Sequence, residues 1–158
     1  MLTEEVAELI GKTGDVIVME VEKGAIKKLV DAVGDSNPLY CDEEYASASN
    51  YGSIIAPPGF FGWPVKWEGG MPCLLPLTQE VIDTIAEAGY SRLLDAGIEY
   101  DFLHPVYAGD VLAVSSEVIS IDERETKGGK MLFSVIEITY INQNADIVAK
   151  ARQILGYR

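Results

Sequence analysis

A chain of 158 residues, 48% of them hydrophobic, is long enough to bury a core without disulfide or metal staples, and a single domain over 1–158 is expected. Twelve basic against twenty-five acidic side chains give a formal charge of −13, which repels nucleic acid and anionic lipid alike. Met1 to Asp15 is acidic, with no basic start and no long apolar run, so neither a secretory signal nor a membrane span is expected and the chain reads as cytoplasmic.

Thr3 followed by Glu4 and Glu5 is a helix N-cap with acids at the positive end of the dipole, opening a short helix through Ile10. Gly11 to Asp15 breaks it, and Val16 to Val21 reads as a strand. Ile26, Leu29, Val30 and Val33 then share one face of a helix of about three turns. Gly34 closes that helix, and Asp35, Ser36, Asn37 and Pro38 make a sharp corner carrying a carboxylate and an amide. Such a corner is either an ordinary Asx-type turn or a site for holding a polar reactant.

Asp42 to Ser49 is a short helix with its acids at the start, and Tyr51-Gly52 turns the chain into Ile54-Ile55. Pro57-Pro58-Gly59 suits the first turn of a helix, which would carry Phe60, Phe61 and Trp63. The apolar, glycine- and proline-rich loop from Glu68 to Pro76 is expected to lie against a core, a pocket or a second subunit. Phe60, Phe61, Trp63, Trp67 and this loop line either an acyl channel or an ordinary core. Val81, Ile82 and Ile85 mark a further short helix ending at Gly89.

From Leu93 onward the chain reads as strands. Ile98, Tyr100 and Phe102 alternate with more polar positions up to Pro105, and Gly109-Asp110 turns into the next strand. Val111 to Ile121, Met131 to Ile141 and Ile147 to Leu155 follow, joined by a loop over Asp122 to Lys130 and a turn over Asn142 to Asp146, which makes an antiparallel meander. Cys41 and Cys73 read as small buried hydrophobes in a reducing compartment, and the lone His104 as a hydrogen-bonded residue at a strand end. No nucleotide-binding glycine motif, redox motif or metal-ligand cluster is present, so no cofactor is expected.

Gly34-Asp35-Ser36-Asn37-Pro38-Leu39-Tyr40, the block Tyr51 to Gly59, and Phe102-Leu103-His104-Pro105-Val106-Tyr107-Ala108-Gly109-Asp110 resemble, in order, the signature blocks of the MaoC-like (R)-specific enoyl-thioester hydratases. The resemblance runs from about Val21 to Leu155. It implies an α+β hotdog fold, with an antiparallel sheet wrapped around a central helix that begins near Pro58. Amides at that helix start would polarise the thioester carbonyl, with Pro58, Gly59, Phe60, Phe61 and Trp63 as the substrate-binding set. Gly59 either admits a ligand closely or merely permits tight packing beneath the sheet.

The resemblance also places Asp35, Asn37 and Tyr40 at the catalytic corner, and one departure alters its meaning. Catalytic members carry a His at the position held here by Tyr40, and their Asp and His together deprotonate water. With Tyr40 instead, the pattern resembles the non-catalytic half of heteromeric 3-hydroxyacyl dehydratases and enoyl-CoA hydratases. The implied ligand is a coenzyme A or acyl carrier protein thioester, and the implied partner a His-bearing MaoC-like subunit. Two alternatives stand beside it. One is a self-sufficient homo-oligomeric hydratase using Asp35 with Tyr40 or His104, and the other a non-catalytic acyl-thioester binding module.

Overall fold

The computed structural model describes residues 2–62 and 75–158. Trp63, Trp67, Cys73 and the part of the expected apolar loop up to Leu74 lie outside the described residues.

Helix α1 (Glu4–Glu8) starts where Thr3 accepts the amide of Val6 at 3.4 Å and buries Val6. Strand β1 (Ile17–Glu20) follows, then helix α2 (Lys23–Val33), which buries Ile26, Leu29 and Val30. Val33, expected on the same face, is 66% exposed: it is the last residue of the helix, where the chain already turns away from the core. Gly34 closes the helix at φ 71°, a left-handed conformation that glycine adopts without a Cβ penalty. Helix α3 (Glu43–Ala48) starts at Asp42, whose carboxylate accepts the amide of Tyr45 at 3.0 Å.

Helix α4 (Pro76–Glu87) lies against the sheet. Leu77, Val81 and Ile85 recur at a spacing of four, are all buried, and make one apolar stripe. Proline at its first turn lacks a donor that would have no helical partner there. The helix expected to start near Pro58 opens as a 3-10 turn over Pro58–Gly62. Trp63 and the rest of that expected helix lie outside the described residues.

Strands β2 (Leu93–Phe102), β3 (Val111–Thr126), β4 (Gly129–Ile141) and β5 (Ile147–Tyr157) join β1 in one antiparallel sheet of order β1-β3-β4-β5-β2. The β3-β4-β5 meander is as expected, and the whole is an α+β hotdog with α4 against the sheet. The Thr78 hydroxyl on α4 donates to the side-chain oxygen of Gln153 on β5 at 3.4 Å, which ties the helix to the sheet. Fully burying each large aliphatic of this core contributes about 1.5–3 kcal/mol.

Strand β3 outruns its expected end at Ile121 by continuing to Thr126. A register shift between Val118 and Ser120 re-phases the strand, putting Ile119 outside at 44% exposure and Ile121 inside at 3%. Beyond it the charged run from Asp122 to Glu125 has no apolar period to read. Cross-strand contacts hold it: Lys130 donates to Glu123 at 2.8 Å and Arg124 stands 5.2 Å over the Phe133 ring. Thr126 then closes the tight turn, its hydroxyl donating to the carbonyl of Gly129 at 2.7 Å.

Candidate functional site

The corner after α2 is built entirely from local hydrogen bonds. The Asp35 carboxylate accepts the amide of Asn37 at 2.9 Å, and the Asn37 side-chain oxygen accepts the amide of Leu39 at 3.1 Å. Two successive Asx turns therefore lead into the 3-10 turn Pro38–Tyr40. The same bonds make Asp35 and Asn37 turn residues whatever else they do.

Three loops meet beside this corner. Ile55 donates its amide to the carbonyl of Leu39 at 3.3 Å, and Ala56 donates to Val106 at 2.7 Å. Ala108 donates to Ile54 at 3.0 Å, which closes an antiparallel bridge between Ile55 and Tyr107. Asp110, 8% exposed, fixes the far end: its carboxylate accepts the Tyr107 amide and the Gln143 side-chain amide, each at 2.8 Å. Gln143 completes the clamp by accepting the Val111 amide at 3.0 Å. The expected turn role of Asp110 is thus a tie between the β4–β5 turn and the loop after β2.

Between these loops lies a cleft of about 350 Å³, within the range of small-molecule sites. Tyr40, Tyr51 and His104 line it with Pro58, Phe61 and Phe102, and Ile55, Ala56 and the Leu103 to Val106 segment complete the wall. The Phe61 ring meets Tyr140 edge-on with centroids 4.8 Å apart, and Phe102 stacks on Tyr100 at 5.4 Å. The phenol of Tyr40 is held above the ordinary tyrosine range by burial, and next by the negative charge of Asp35, while the Asn37 side chain pulls it down. Burial likewise raises Tyr100, and raises Tyr140 further.

Asp35 and Asn37 flank the cleft through Tyr40. Pro58 and Phe61 line it, Phe60 at 2% exposure lies in the core, and Gly59 is exposed. Among the described residues a Cβ at Gly59 would meet nothing within 4 Å. Trp63 is outside the described residues. Cys41, expected to be buried, is exposed, because the 3-10 turn ahead of it points the chain outward.

Tyr51, outside the expected site set, and His104, expected there only in the homo-oligomer alternative, both line the cleft. His104 follows the end of β2, its amide donating to Val148 at 3.1 Å, and only the pairing of the following loop with Ile55 carries it to the corner. Among the described residues no group of His, Cys, Asp and Glu is arranged to hold a metal ion, and no helix is long and apolar enough to cross a membrane.

The family model "FAS1-like, dehydratase domain region" matches residues 8–151. A probable enoyl-CoA hydratase alpha subunit of Thermomonospora curvata is 31% identical over 146 residues, covering 84% of this chain and 44% of that protein. A UPF0336 protein of Streptomyces avermitilis is 38% identical over 103 residues, covering 65% of this chain and 63% of its own length. The chain thus spans less than two thirds of each of these relatives. Among solved structures, the ChsH1-ChsH2 complex of Mycobacterium tuberculosis has a chain that superposes with a TM-score of 0.81 at 22% identity, covering 97% of this chain and 88% of that one. The HadBC 3R-hydroxyacyl-ACP dehydratase complex of the same organism gives 0.67 at 21%, covering 94% and 96%. At these identities the structural likeness speaks for the hotdog fold.

Proposed function

Because the chain belongs to the FAS1-like dehydratase-region family, within the MaoC-like hydratases and dehydratases, we propose that it is the acyl-pocket subunit of a heteromeric (R)-specific enoyl-thioester hydratase. The observation that carries the reading is Tyr40 beside Asp35, a phenol at the corner where the family's chemistry needs an imidazole. The alpha-subunit relative and the two-component neighbours support it.

Hydrating a 2-enoyl thioester takes a base for the attacking water, an acid for C2, and donors for the thioester oxygen as it gains charge. Asp35 is exposed and already accepts the Asn37 amide, so it is a weak base for water without imidazole. Tyr40, raised above the ordinary phenol range, stays protonated at neutral pH and so is no base for water. In the proposed complex the Asp/His dyad comes from the partner, and this chain holds the acyl group in its cleft. No lysine or arginine is among the described residues lining that cleft, and the chain carries −13, so the partner also supplies the cations for a coenzyme A or carrier-protein phosphate.

Strand β2 is the edge on which such a partner docks. Leu93, Leu94, Ile98 and Phe102 on it are 45%, 55%, 43% and 48% exposed, and a ten-residue edge strand with no second neighbour among the described residues and with apolar side chains invites a further strand. Co-expression with His-bearing MaoC-like subunits tests the proposal. Crotonyl-CoA hydration appears with a partner, vanishes on replacing the partner's motif His, and changes only modestly on Asp35→Asn here. Loss of the complex's rate on Asp35→Asn, with the partner intact, overturns it. A second reading rests on His104 sharing the cleft with Tyr40: a homo-oligomer using that imidazole, which predicts turnover by the single chain that His104→Ala abolishes.

A further inference from the structure

We propose that the cleft selects an apolar acyl group bearing an oxygen that accepts a hydrogen bond, and that the Tyr40 hydroxyl donates to it; this rests on the acyl-pocket reading above. The lining divides into two kinds of surface. Phe61, Phe102 and Pro58 present rings with no hydrogen-bonding atom, whereas Tyr40, Tyr51 and His104 bring three polar rings to the same space. No carboxylate, ammonium or guanidinium is among the described lining residues, so a charged substituent would lose its water without gaining an opposite charge. A wholly apolar ligand would strip water from the three polar rings and return nothing. An uncharged group with a carbonyl or hydroxyl oxygen satisfies both surfaces.

Tyr40 is the donor best prepared for this. Its backbone is fixed, its own amide donating to Asn37 at 3.1 Å while the neighbouring Leu39 carbonyl accepts from Ile55, so little ordering is needed on binding. Its ring lines the cleft, and its hydroxyl, a phenol held protonated, is a donor for a ligand oxygen. Burial and the Asp35 charge keep that proton in place at neutral pH. The replacement that removes the proton shuttle from this corner thereby makes it a recognition point, and such a site discriminates by the partner it is left without.

Neutral N-acetylcysteamine thioesters make the test independent of carrier phosphates. The 4-oxocyclohexanecarboxylic and cyclohexanecarboxylic thioesters are titrated against the chain alone, with occupancy read from the imidazole proton resonances of His104, the single histidine. The oxo probe binds about fivefold or more tightly, the ratio given by one neutral hydrogen bond of about 1 kcal/mol, and Tyr40→Phe collapses the ratio towards one. Equal affinity of the unsubstituted chain for both probes, or binding of neither, overturns the proposal without any variant. A preference that survives Tyr40→Phe also overturns it. Binding preference and turnover with a partner are separate readings, so this inference and the proposed function fail separately.

Discussion

Tyr140 on β4 donates its hydroxyl to the backbone carbonyl of Phe61 at 3.4 Å, while its ring packs edge-on against the Phe61 ring. One contact therefore ties the middle of the sheet to the turn that floors the cleft. Phe61, 5% exposed, is both a core residue and a wall of the site. Phe61→Ala should cost about 3–5 kcal/mol in urea denaturation. It should also enlarge the cleft, so that bulkier thioester probes gain relative to smaller ones.

The buried phenols make stability depend on alkaline pH. Burial raises Tyr140 most, and raises Tyr100 and Tyr157 in the same direction, so the folded chain holds protons that the unfolded chain releases near pH 10. A folded-state pKa above the unfolded value gives stability that is complete below about pH 10 and is lost as pH rises beyond it. Each protected phenol steepens the loss by about 1.4 kcal/mol per pH unit. Denaturation series at pH 8 to 11 should therefore show Tyr140→Phe losing less between pH 10 and 11 than the unsubstituted chain. Parallel curves would refute the assignment.

The clamp made by Asp110 and Gln143 should behave as a coupled pair. Asp110→Ala strands the Tyr107 amide and one face of Gln143, and a loss of about 2–3 kcal/mol is expected for a buried charged acceptor. Gln143→Ala should cost about 1 kcal/mol, and the double substitution less than the sum of the two. Additive losses in urea midpoints would mean that the two residues act independently.

Strand β2 supplies a prediction about assembly. Ile98→Lys places a charge on an exposed edge position, so it should change the stability of the isolated chain by less than about 0.5 kcal/mol. Gel filtration of the variant co-expressed with a His-bearing partner should show the complex lost or much weakened. An intact complex would move the interface elsewhere.

The features legible in the sequence are those with local causes. Ile26, Leu29 and Val30 on one face, Gly34 at the stop, and the Asn37-Pro38 bend are fixed by spacing and by short-range hydrogen bonds, and each is where it was expected. The β3-β4-β5 meander was readable because apolar alternation and turn residues suffice. The helix-start signal of Pro57-Pro58-Gly59 opens a 3-10 turn, and the segment that would continue it lies outside the described residues, while α4 had only a short apolar period to announce it. Pairing of Ile55 with Tyr107 brings His104 to Tyr40, and no local pattern encodes a contact between segments so far apart. Cys41 was judged by residue type, yet an exposed turn decides its place.

Hydration of crotonyl-CoA by the purified 158-residue chain, with nothing else added, is the most direct measurement of the central claim. With a phenol in the imidazole's place, the account predicts a rate indistinguishable from the buffer control, rising to full turnover when a His-bearing partner is supplied. Brisk turnover by the chain alone would contradict it.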